Sequence, residues 1–351
     1  MNRMEAACRP GLAGLGRHWV ALLLAVLLLM TVLVSLGLGK YPVSFREILL
    51  FLQQQVLGRP TLAPDRYELL HNILWEIRAP RIAAAMLIGA ALAASGTAFQ
   101  SIFVNPLVSP KLLGVLPGAS FGAALGMLLA PSWFGVQLCC FAGGVAAVGL
   151  AAGIARLYRG DRMLMLVLGG IISGSLFTSL LSIVKYLADP HDQLPAIVYW
   201  LMGGLSMANS RTITGVSIPI LAGLGCLMLM ARYLNALSMG EEEAGSLGLN
   251  VGVLRFWLIF CATVISALTV VVGGLIAWVG LIVPHIGRLL VGPDNRILLP
   301  VTALLGALYL LVVDDVSRLL LDVEIPLGIV TSLIGIPFFI LLLKNARKGW
   351  G

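Results

Sequence analysis

Apolar residues fall into ten runs along the chain, separated by short polar segments. The runs predict helices at about 20–39, 82–103, 112–130, 135–156, 163–187, 212–234, 256–273, 275–291, 298–319 and 326–343. Roughly 20 apolar residues cover the hydrocarbon core of a bilayer, so these runs are candidate membrane spans. The first, Val20 to Gly39, holds no charge and follows Arg3, Arg9 and Arg17. It is too long for the apolar part of a signal peptide, and no small-x-small cleavage site comes after it. It predicts an uncleaved first transmembrane helix behind a cytoplasmic segment, 1–19. The seventh and eighth runs are nearly continuous, and Gly273-Gly274 is the predicted turn between them.

Two segments do not fit as spans. Residues 40–80 carry Arg46, Arg59, Asp65, Arg66, Glu68 and Glu76 and predict a long periplasmic connection. Pro195 to Met207 is apolar, with Tyr199 and Trp200, but too short to cross. Its proline and aromatics predict a short helix at the outer membrane surface.

Ten crossings place both termini on one side. Arg156, Arg159, Arg162, Arg232, Arg255, Arg288, Arg296, Lys344, Arg347 and Lys348 then share the side of the basic N-terminus. Cytoplasmic loops carry the excess of Lys and Arg, so that side is the cytoplasm of a multi-pass inner-membrane protein.

Composition agrees. Of 351 residues, 59% are hydrophobic and 11% charged, and the mean hydropathy is +1.00. Soluble domains carry about a quarter charged residues. The 40 glycines suit close helix packing in a membrane. The net charge of +7 sits at helix ends, where it sets orientation and meets anionic headgroups, so nucleic acid is not a predicted partner but membrane lipid is. Cys8, Cys139, Cys140, Cys226, Cys261 and four histidines form no spaced ligand set, and no cofactor, metal or catalytic residue is predicted. The adjacent Cys139 and Cys140 point in different directions on a helix.

No engine is visible. A phosphate-binding loop needs Lys followed by Ser or Thr, whereas the five lysines precede Tyr41, Leu112, Tyr186, Asn345 and Gly349. Ion coupling needs ionisable groups near mid-membrane. Asp314-Asp315 come closest, toward the outer end of the ninth run beside Arg318, where a structural ion pair is the better reading. A non-enzymatic channel subunit driven by another protein fits both absences.

The segment Gly274-Leu-Ile-Ala-Trp-Val-Gly-Leu-Ile-Val-Pro-His-Ile-Gly-Arg288 resembles the signature of the FecCD family, the permeases of type II ABC importers. Further blocks agree in order: Ile77-Arg-Ala-Pro-Arg-Ile82, Gly96-Thr-Ala-Phe-Gln100, Asn105-Pro-Leu107, Leu113-Gly-Val115, Ala244-Gly-Ser-Leu-Gly-Leu-Asn-Val251 and Ile325-Pro-Leu-Gly-Ile-Val330. The chain departs from the family pattern at Leu116-Pro117-Gly118 and at Trp278. The resemblance implies an all-α permease domain of about ten transmembrane helices, paired with a second copy or a close paralogue. It implies two ABC ATPase subunits, which hold the ATP and Mg, and a periplasmic binding protein. An iron–siderophore is the first implied cargo, with haem or cobalamin as alternatives; an ion-coupled secondary transporter is the alternative class.

Site residues follow from the same resemblance. Segment 236–254, with Glu243, Ala244, Gly245, Ser246, Leu247, Gly248 and Asn250, matches the ATPase-coupling helices, although composition alone reads as a solvated, capped loop. Arg78, Arg81 and Arg318 match arginines that dock the binding protein; the plain alternative is snorkelling at a helix end. Asn105 and Leu107 match one cytoplasmic gate, and Asp161 with Arg162 the other. His285 is read as hydrogen-bonded structure. The fifth and tenth helices are implied to line the pathway.

Overall fold

The computed structural model describes residues 16–58, 60–130, 132–158 and 162–346. Most of the N-terminal segment, Asp161 and the basic residues Arg347 and Lys348 lie outside these. The charge-free first run forms α1 (Arg17–Gly37). The predicted connection, residues 40–80, is mostly helical. Ser44 and Glu47 build a reciprocal capping box that starts α2 (Phe45–Leu57), and left-handed Gly58 ends it. Val43, Ile48 and Phe51 meet Leu70 and Leu74, from α3 (Pro64–His71) and the π-helical stretch after it, in a small core of their own. That π-helical stretch, Asn72–Arg78, runs straight into α4 (Ala79–Ile102). Helix is thus continuous over 39 residues, about 58 Å at 1.5 Å per residue. The hydrocarbon core is only about 30 Å thick, so the first turns stand outside it.

The remaining helices are α5 (Val115–Leu129), α6 (Trp133–Leu157), α7 (Arg162–Leu187), α8 (Gln193–Leu201), α9 (Ser210–Leu229), α10 (Ala231–Leu237), α11 (Glu241–Ser246), α12 (Val251–Gly273), α13 (Val279–Val291), α14 (Asn295–Leu319) and α15 (Leu327–Ala346). Every predicted run holds helix, although the sixth crosses a break at Met230 and the eighth is helical only from Val279, and α8 overlaps the predicted short one. Seven helical segments of the described chain are long and apolar enough to cross a membrane; α5, α13 and the apolar part of α15 are shorter.

Helix α4 is the axis of the bundle, buried along most of its length and packed on α9, α12, α13 and α14. Small residues permit this, since helices in lipid associate by close packing rather than by hydrophobic exclusion. At the crossing with α14 a Cβ on Gly89 would lie 2.1 Å from the Gly306 carbonyl oxygen, and one on Gly306 would lie 2.2 Å from that of Gly89. Neither position has room for a side chain.

The helices divide at Gly273-Gly274, as predicted, but through a longer unwound link rather than a tight turn. α12 stops at Gly273, residues 274–278 are unwound, and α13 is only 13 residues long. A Cβ on Gly280 would lie 2.9 Å from the Leu92 carbonyl, past the midpoint of α4, so α13 starts inside the bundle. Unwound backbone at that depth must be satisfied by protein. Gly204 N donates to Gly273 O (3.0 Å), Leu327 N to Gly203 O (2.9 Å) and Gly328 N to Met202 O (3.1 Å), tying three irregular segments together. The glycine pair marks where the break begins, but composition does not change across 274–278 and so does not give its length.

Candidate functional site

At the end of the bundle where α1 finishes and α4 begins, three arginines converge. Arg81 Nε lies 3.1 Å from both carboxylate oxygens of Asp314, and its Nη1 lies 2.9 Å from Glu324. Arg318 pairs with Asp314 at 3.3 Å and with Asp315, which also accepts from Ser35 Oγ at 2.7 Å. Arg78 donates instead to the backbone carbonyls of Leu36 and Tyr41. The expected grouping on one end is present, but the exposure is not. Arg78, Arg81 and Arg318 are only 5%, 8% and 8% exposed. Buried charges persist when paired and hydrogen-bonded, and here the partners lie within the chain. In this geometry the three guanidinium groups tie α1, α4 and α14 together.

The opposite end carries α10 and α11; the expected coupling segment, 236–254, takes in the end of α10, all of α11 and the start of α12. Glu241, Glu242 and Glu243 occupy the first turn of α11, where acids complement the helix dipole. Ala244 is buried, whereas Gly245, Ser246, Leu247 and Gly248 are exposed, Leu247 at 63%. Gly248 takes φ +76°, a conformation that glycine adopts without a steric cost. Asn250 accepts from Val253 N at 3.2 Å and caps α12. Arg255, just past the first turn of α12, pairs with Glu241 at 2.5 Å, bracing α11. The segment is an exposed knob held at both ends.

Between α4 and α5 the loop turns at Asn105, whose Oδ1 accepts from Leu107 N at 2.9 Å. Leu107 is exposed, and the preceding Val104 sits at φ +47°, which is unfavourable for a β-branched residue. Asp161 lies outside the described residues; Arg162 opens α7, and its side chain is likewise outside them. His285 stacks edge-on against Phe338 of α15.

Three features escaped sequence reading. Ser175, Thr178, Ser179 and Ser182 are all exposed and, at spacings of i, i+3, i+4 and i+7, form one stripe on α7. Thr178, Ser179 and Ser182 each donate to the carbonyl four residues back, so their oxygens turn lone pairs outward. Reading the hydroxyls at helical spacing finds the stripe. Trp278, at φ +70°, packs on Gly335 and Phe339 of α15. Cys226 and Cys261 bring their sulfurs to 3.3 Å across α9 and α12; 35 intervening residues conceal that contact. Among the described residues no three His, Cys, Asp or Glu side chains cluster as metal ligands would.

Seven helical segments of the described chain, long and apolar enough to cross a membrane, define a candidate multi-pass membrane protein. The chain belongs to the FecCD transport family, which matches residues 27–345. It is 37% identical to the molybdate import system permease protein MolB of Haemophilus influenzae over 93% of this chain and 95% of that one. It is 35% identical to a probable iron chelatin transport system permease of Helicobacter pylori, over 93% and 97%. A solved structure described as a metal-chelate type ABC transporter in an inward-facing conformation superposes with a TM-score of 0.83 at 36% identity, covering 93% of this chain and 99% of that one. The chain is an ABC importer permease of the FecCD type.

Proposed function

We propose that this permease carries a metal-containing cargo inward across the inner membrane, powered by ATP hydrolysed on two partner subunits. The α10–α11 end with Gly248 faces the cytoplasm and seats in those ATPases, and both termini lie on that side. A second copy, or a close paralogue, completes the pathway, and a periplasmic binding protein delivers cargo at the arginine-rich end. There Arg78, Arg81 and Arg318 shape the docking rim by holding α1, α4 and α14 in register. Strained Val104 beside Asn105 and Leu107 suits a gate, since strained backbone concentrates at switches.

The hydroxyl stripe on α7 carries this reading. A helix facing only lipid gains nothing from four aligned hydroxyls, whereas a water-filled pathway does. Its uncharged acceptors suit a bulky cargo held weakly enough to leave. Cysteines introduced at Thr178 and Ser182 test it. The reading requires both to react with a membrane-impermeant, water-soluble thiol reagent and cysteine at Ile183 to stay inert; equal inertness at all three sites contradicts it.

An iron–siderophore or a related chelate is the proposed cargo. A metal oxyanion is the second reading, favoured by the relative named for molybdate. Uptake of radiolabelled ferric siderophore against radiolabelled molybdate, into vesicles containing the assembled transporter, separates the two.

A further inference from the structure

A groove of about 860 Å³ runs along the bundle between α6, α7 and α12, and nothing in the transport reading uses it. Its walls are apolar and aromatic, including Gly149, Phe256 and Phe260. Phe256, Trp257 and Phe260 pack into one aromatic cluster on the exposed side of α12, the kind of anchor found at membrane–water interfaces. The mouth lies at the end of the bundle that carries α11 and holds Arg156, Tyr158 and Arg255.

That mouth is under-neutralised. Arg156 is exposed, with no ion pair among the described residues. Arg255 is only 9% exposed, and Glu241 takes up its Nη2 while the buried Nε has no hydrogen-bond partner. Among the described residues, two guanidinium groups and a phenol therefore face one exposed carboxylate. A buried donor left unmatched is costly, and a ligand oxygen would satisfy it. Arginine suits phosphate because its planar fork offers aligned donors.

We propose that this groove binds one anionic phospholipid, its phosphate at Arg156, Tyr158 and Arg255 and an acyl chain along Gly149, Phe256 and Phe260. Basic pockets between transmembrane helices at the cytoplasmic leaflet recognise anionic headgroups by this chemistry. A zwitterionic lipid brings its own cation and leaves the mouth less well neutralised. The bound headgroup shares Arg255 with Glu241 and so abuts the α11 knob. The inference rests on the transport reading only for the leaflet it names.

Two variants probe opposite parts of the site. Arg156→Gln removes a headgroup charge from an exposed position. Gly149→Leu fills the groove, and a Cβ at Gly149 meets nothing within 4 Å in the chain. The full-length permease is reconstituted in nanodiscs of equal phosphatidylglycerol and phosphatidylcholine, released, and its retained lipid counted by native mass spectrometry. Wild type retains phosphatidylglycerol about fivefold over phosphatidylcholine, Arg156→Gln loses most of that preference, and Gly149→Leu loses the lipid itself. Equal retention of the two lipids by wild type, or unchanged retention in both variants, overturns the proposal. No transport is measured, so failure here leaves the transport reading standing, and failure of transport leaves this result standing.

Discussion

Arg81 on α4 and Asp314 on α14 meet although 233 residues separate them, and Asp314 is fully buried. Burying two charges is tolerable because Arg81 Nε and Nη2 engage the carboxylate at 3.0–3.1 Å and Arg318 approaches it from the other side. Removing one member strands the others. Breaking such a buried pair costs about 3–5 kcal/mol, whereas replacing the pair with apolar residues of similar volume can be neutral. Asp314→Ala should therefore lower the thermal unfolding midpoint in detergent far more than Arg81→Met with Asp314→Leu together. Equal stability of Asp314→Ala and wild type would remove the structural role.

The same geometry changes what charge reversal at this end reports. Arg81→Glu sets a carboxylate beside Asp314 and Glu324, so it destabilises the bundle before it reaches any partner. Arg81→Glu with Arg318→Glu should reduce the folded permease recovered by size-exclusion chromatography. Full recovery of the double variant, with loss only of binding-protein association, would return these arginines to the surface.

At the opposite end Gly248 and Gly245 separate two roles of glycine. A Cβ at either position meets nothing within 4 Å, so neither is needed for packing inside the chain. Only Gly248 has positive φ. Placing a β-branched residue in that conformation costs on the order of 1–3 kcal/mol, relieved by remodelling the turn. Gly248→Val should insert and fold normally yet lose ATPase co-purification, while Gly245→Ala retains it. ATPase recovery in pull-downs checks both, and normal recovery with Gly248→Val contradicts the assignment of α11 as the coupling contact.

Glu47 gives a pH-dependent readout outside the spans. The Arg66 guanidinium, followed by the Ser44 backbone and hydroxyl, holds its carboxyl down at about 2, below the ordinary 4.5. A depressed carboxyl contributes stability above its unfolded pKa and loses it as pH falls through the folded one. The start of α2 should therefore loosen between pH 4.5 and 2, by a small amount because the pair is solvent-screened. Amide exchange in α2 should show this in wild type and not in Glu47→Gln.

The thiols of Cys226 and Cys261 predict a chemical link between α9 and α12. Mild oxidation should remove both from maleimide labelling, reversibly with reductant, and Cys226→Ser should keep Cys261 labelled. Persistent labelling of both after oxidation would separate α9 from α12.

Much of the fold was legible because a bilayer demands apolar runs of fixed length, and ten such runs stand out by composition. The folded unit between α1 and α4 was less so. Its polar residues suggested a connection without stating its helices, although the Ser44 and Glu47 spacing of a capping box was present. Charges at Arg78, Arg81 and Arg318 were visible, but their neutralisation depends on residues distant in sequence, which no local pattern reports. The break was placed at Gly273-Gly274, but its unwound length to residue 278 was not legible, because glycines and apolar residues serve equally in a helix and in an unwound link. The proposed coupling role of 236–254 rests on resemblance rather than on physics, since three acids before a short helix also describe an ordinary capped loop.

Uptake into proteoliposomes bearing the permease with its cognate ATPase and binding protein tests the central claim most directly. Labelled cargo should accumulate only when ATP is present on the face that carries α11, and should persist when ionophores collapse every ion gradient. Accumulation driven by an ion gradient with ATP absent would contradict it.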